Sequence, residues 1–103
     1  MDDIRTGEVE DLLAVFAGLQ DKDEVFNLLE DLFTIREIRE TSQRLAVARL
    51  LSEGNSYAVI EKATGASATT IARVSKCLSY GAGGYEAAFR VLSHGKPEES
   101  GEL

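Results

Sequence analysis

Residues 56–80, SYAVIEKATGASATTIARVSKCLSY, constrain this chain more than any other stretch. Two short helical patterns stand there, each introduced by a serine and separated by a glycine. Ser56 is placed to cap a helix from Tyr57 to Thr64, and Ser67 a second one to about Tyr80. In each case the serine oxygen can take up amide groups that a helix start leaves without partners. Gly65 stands where the chain must turn sharply and a Cβ would be costly. Ile60, Ile71, Val74 and Leu78 have the spacing to pack the two helices together. A capped helix, a glycine turn and a second capped helix form a helix-turn-helix pattern.

The rest of the chain also reads as helix. Apolar residues recur at spacings of three and four, and the one proline, Pro97, lies near the C-terminal end. A first helix is expected from about Glu8 to Leu19, with Val9, Leu12, Leu13, Phe16 and Leu19 on one stripe. Asp21 and Glu24 form a box-like cap for a second helix through Val25, Leu28, Leu29 and Leu32. Thr34 and Glu37 repeat the device for the longest helix, which reaches about Glu53 before Gly54. A last helix spans about Tyr85 to Ser93, and residues 96–103 are expected to be a disordered acidic tail. The expected fold class is therefore all-α with six helices, in a single domain over residues 1–95. A chain of 103 residues buries a modest core, so association with a second copy would be a natural source of stability.

Charge is unevenly spread. The chain carries a net −7, yet residues 1–33 hold two basic against ten acidic residues, 34–80 seven against four, and 81–103 two against four. The total argues against a general polyanion binder, because affinity for nucleic acid comes largely from neutralising phosphates. The basic excess in the middle points to a local one.

Catalysis has little to stand on. There is no glycine-rich phosphate loop after a strand, no metal-ligand set and no nucleophile-base pair, so neither enzymatic activity nor a metal is expected. Cys77 is the single cysteine and reads as a small buried hydrophobe. No apolar run approaches the roughly 20 residues needed to span a bilayer, and the acidic start lacks signal-peptide features, so a cytoplasmic protein is expected.

The outward residues of the second short helix carry more information. A recognition helix needs small or polar side chains at its N-terminal end so that the backbone can approach base edges in the major groove. Ala68, Thr69, Thr70 and Ala72 supply that face. Ser56, Ser67, Arg73 and Lys76 are suited to phosphate. A purely structural helix would seldom spend Ser67, Thr69 and Thr70 so close together, given their poor helix propensity.

The run Thr34 to Tyr80, and above all QRLAVARLLSEGNSY and TGASATTIARVSKCLSYG, resembles the Trp repressor superfamily, closest to its YerC/YecD branch. The order of six helices agrees, so the resemblance covers about residues 8–93. It implies an intertwined homodimer whose two helix-turn-helix heads read a two-fold symmetric operator in double-stranded DNA. The implied function is that of a sequence-specific transcriptional regulator, and a repressor in particular. Glu61 departs from the family, standing where a basic residue would contact phosphate.

Tryptophan-responsive members of the superfamily hold the corepressor carboxylate with arginines, which implies a candidate effector pocket of Thr34, Arg44, Arg73, Val74 and Cys77. The match at Arg44 requires a loop near Gly54 one residue shorter; without that gap Gln43 takes its place. Val74 replaces a glycine and Cys77 a serine, and overpacking a formed pocket costs about 1–3 kcal/mol. No cofactor is expected on this reading, with L-tryptophan the candidate it disfavours. The competing reading is a helical protein-interaction module without DNA binding, supported by Glu61 and the net charge.

Overall fold

The computed structural model describes residues 4–100, with side chains as far as Ser93. Six helices follow in order: α1 (Gly7–Gly18), α2 (Lys22–Leu32), α3 (Ile35–Ser52), α4 (Tyr57–Thr64), α5 (Ala68–Tyr80) and α6 (Gly84–Ser100). Among the described residues there is no strand, and no helix is long and apolar enough to cross a membrane. The chain falls into two compact units, Met1–Ile38 and Arg39–Leu103.

In the first unit the helix starts are set by side-chain caps. Thr6, which the apolar pattern does not single out, accepts the Val9 amide at 3.3 Å, and Arg5 pairs with Glu10. Asp21 accepts the Asp23 amide at 3.1 Å. Thr34 and Glu37 exchange bonds of 3.0 and 2.9 Å between each other's backbone amides and side-chain oxygens, a capping box that starts α3. No residue of α1 or α2 is buried.

The second unit holds the apolar core. Val47 and Ala48 of α3, Ile60 of α4, Ala66 of the following turn, and Ile71 and Val74 of α5 are buried. Leu50, Leu51, Leu78, Tyr85 and Phe89 pack around them, with the Tyr85 and Phe89 rings stacked at 6.4 Å between centroids. Four of the core side chains, Val47, Ile60, Ile71 and Val74, are essentially inaccessible. Burial of each is worth about 1.5–3 kcal/mol over leaving it in water. The core thus sits beneath the helix-turn-helix and fixes it as one body.

Two corrections concern α5 and α6. Cys77, expected inside, is exposed. Ile71, Val74 and Leu78 define the inward stripe of α5, and Cys77 lies beyond its edge, about 60° from Val74 and about 100° from Leu78. α6 continues through Ser100, past the expected end near Ser93. Extending an established helix costs far less than nucleating one. The side chains of residues 94–100 and the whole of 101–103 lie outside the described residues.

Candidate nucleic-acid interface

The two short helices start and stop as their sequence dictates. Ser56 Oγ accepts the Val59 amide at 3.2 Å, which starts α4. Gly65 ends it at φ +77°, in the left-handed region, its amide returning 2.8 Å to the Glu61 carbonyl. Thr64 Oγ1 donates to the Ile60 carbonyl at 2.7 Å and accepts the Ala66 amide at 3.1 Å, bracing the turn. Ser67 Oγ then accepts the Thr70 amide at 3.2 Å and starts α5. At the far end Gly81 closes α5, where a Cβ would run into the Cys77 carbonyl.

The first turn of α5 presents Ala68, Thr69 and, one turn on, Ala72 to solvent. Thr70 is different. It is half-buried, its Oγ1 accepts the Ser67 hydroxyl at 3.2 Å, and it lines a polar hollow of about 190 Å³ together with Glu40, Gln43, Arg44 and Arg73. Of the four residues expected to face bases, Thr69 is therefore the freest hydrogen-bonding side chain. Arg73 and Lys76 are exposed, as are Ser56 and Ser67, whose oxygens are occupied as caps. Glu61 is exposed on α4.

Electrostatics single out the same two helices. α1, α2, α3 and α6 each carry a carboxylate in the first turn, respectively from Glu8 and Glu10, Asp23 and Glu24, Glu37, and Glu86. α4 and α5 carry none. Their partly positive N-terminal ends are thus left uncompensated by the side chains of that turn, a setting that favours an approaching anion.

Of the candidate effector positions, Arg44, Arg73, Val74 and Cys77 lie in the second unit and Thr34 in the first. Arg44 and Cys77 border an open, largely apolar hollow of about 490 Å³, closed on one side by the loop Gly81 to Gly84 and by Tyr85. Arg44 and Arg73 share the polar one. Val74 belongs to the core, and Thr34 is spent on the α3 capping box. The neighbours Gln43 and Arg44 also part company. Gln43 Nε2 donates to the Thr64 carbonyl at 3.0 Å, whereas Arg44 borders both hollows, its Nη2 3.4 Å from Thr41 Oγ1. Sequence reasoning named Gln43 only as the alternative to Arg44 and did not find its bond to Thr64, because a bond across 21 positions leaves no periodic trace. Nor did it find Glu40 in the polar hollow.

Comparison with known proteins agrees with this geometry. The family model described as Trp repressor protein matches residues 7–93. The uncharacterized protein YerC of Bacillus subtilis (strain 168) is 43% identical over 100 residues, covering 97% of this chain and 96% of that protein. A crystal structure of a TrpR like protein from Eubacterium eligens ATCC 27750 superposes with a TM-score of 0.85 at 41% identity, over 90% of this chain and 96% of that one. A structure from Staphylococcus aureus gives 0.84 at 33% identity, over 89% and 92% respectively.

Proposed function

Since the chain belongs to the Trp repressor family, a superfamily of DNA-binding regulators, we propose that it is a sequence-specific transcriptional repressor that binds a two-fold symmetric operator as a homodimer. The observation that carries this reading is the exposed first turn of α5. It is built of small and hydroxyl side chains, free of carboxylates, and held rigidly on a buried core. Thr69 and Ala72 face base edges in the major groove, Ala68 permits close approach, and Arg73, Lys76 and the serine-capped helix starts meet phosphate.

A second copy is part of the proposal. α1 and α2 bury nothing, and Leu12, Leu13, Val15, Phe26 and Leu32 stay 38–49% exposed, an apolar surface that association would cover. Two heads related by a two-fold axis would read half-sites about 34–36 Å apart. The regulator acts in the cytoplasm and needs no L-tryptophan, a reading supported by the branched Val74 side chain buried in the core.

Salt dependence tests the phosphate assignments. Binding to the operator is expected to weaken linearly in log–log form with salt, and Arg73→Ala or Lys76→Ala should each reduce the magnitude of that slope by about 1. Fluorescence anisotropy titrations at several salt concentrations read this out. Slopes unchanged in both variants would remove these residues from the interface. The exposed Glu61 and the net charge favour the alternative of a protein-docking module; absence of DNA binding at low salt, with a stoichiometric protein partner, would support it.

A further inference from the structure

We propose that Gln43 is a positioning residue for the reading head: a single side-chain hydrogen bond from α3 to the α4–α5 turn sets the angle at which α5 is presented. This rests on the DNA-binding reading for its functional consequence, though the clamp itself is a property of the free protein.

Apolar packing joins α3 to the helix-turn-helix through Val47, Ala48, Ile60, Ile71 and Val74. Such contact is strong but non-directional, so it limits distance far better than orientation. A hydrogen bond is directional. The Gln43 Nε2 to Thr64 carbonyl bond, 3.0 Å and part-buried, is a polar tie between α3 and the end of α4. Thr64 is the last residue of α4, where carbonyls lack intrahelical partners.

Its hydroxyl is engaged on both sides, by Ile60 and by Ala66. With the carbonyl bond included, Thr64 is held to α4, to the turn and to α3 at once. The Gln43 amide lies against the turn itself, since a Cβ built on Gly65 would stand 3.9 Å from Nε2. Ala66, buried in the core, and the Ser67 cap follow directly. Gln43 also borders the polar hollow with Thr70 and Arg73 of α5. One amide thus touches the turn and flanks the recognition helix. Releasing it leaves the core in place and the angle of α5 less determined.

Two variants separate this role from a merely structural one. Gln43→Met keeps the length and removes the donor; Gln43→Lys keeps a donor at the chain end. Each is measured for affinity to a selected operator and to non-specific DNA at one salt concentration, and the free protein is followed by amide hydrogen exchange. Gln43→Met should speed exchange at Gly65 and Ala66 and cut the operator-to-non-specific ratio about tenfold, a factor set by one lost hydrogen bond. Its non-specific affinity should hold. Gln43→Lys should restore slow exchange at Gly65 and Ala66; because its added charge also raises non-specific affinity, the ratio is read on Gln43→Met. Unchanged exchange and ratio in Gln43→Met would overturn the proposal. So would equal losses of specific and non-specific affinity that track a lowered Tm. If the parent protein binds no DNA, the regulator reading fails, and exchange at Gly65 and Ala66 alone decides for or against the clamp.

Discussion

Replacing Ile71 with alanine is expected to lower the free energy of unfolding by about 2–5 kcal/mol, the range for emptying a filled core site. Ile71 is wholly buried and lies on the inward stripe of α5, among Val47, Ala48, Ile60, Ala66 and Val74. Its loss therefore removes contacts from α5 on α3 and α4 together, and the cavity left is only partly closed by relaxation. Denaturant unfolding at fixed protein concentration, followed by circular dichroism, measures it; concentration is held because a dimer's stability depends on it. Tyr80→Ala serves as the comparison. Tyr80 is on the same helix but 84% exposed, so its truncation should stay within about 0.5 kcal/mol. Equal effects at the two positions would mean that the core is not where it is described.

The second large effect concerns specificity. Thr69→Ala should reduce discrimination between operator and non-specific DNA by about 1–3 kcal/mol, while leaving non-specific affinity nearly intact. Thr69 is exposed on the first turn of α5, with a hydroxyl for base edges and a methyl for thymine. Thr70→Ala should cost less discrimination. Its hydroxyl oxygen already accepts from Ser67, and its side chain borders the polar hollow beside Gln43 and Arg44. Competition of labelled operator against non-specific duplex gives both ratios. A larger loss at Thr70 than at Thr69 would reverse the assigned order and place the groove on the α3 side of the helix.

Local chemistry made the reading head legible. Ser56, Gly65 and Ser67 are caps and a stop whose roles depend on near neighbours, so α4 and the start of α5 follow from the residues alone. The inward stripe of Ile60, Ile71 and Val74 was equally readable, because helical period puts these residues on facing sides. What escaped was long-range. Cys77 looks apolar and sits next to Leu78, yet its angular position leaves it exposed. The candidate effector set came from correspondence with a family, and within the second unit Val74 is buried in the core while Arg44, Arg73 and Cys77 border hollows. Gln43 entered only as the ungapped alternative to Arg44 in the family correspondence, and no local signal pointed to its bond across to α4, although both residues line the polar hollow. The direction of the Gln43 bond to Thr64 separates the two neighbours.

The apolar stripes of α1 and α2 were just as visible, and the structure leaves both without a buried residue. Periodicity tells which side of a helix is apolar; it does not tell which chain covers it. That question and the operator are joined in one claim, since a two-fold site needs a two-fold protein.

Selection of bound fragments from the organism's own genomic DNA by the purified protein, with and without added L-tryptophan, tests that claim most directly. The account predicts an enriched duplex with two-fold symmetry and half-sites about one helical turn apart, recovered equally in both conditions. Recovery of no enriched symmetric sequence in either condition would contradict it.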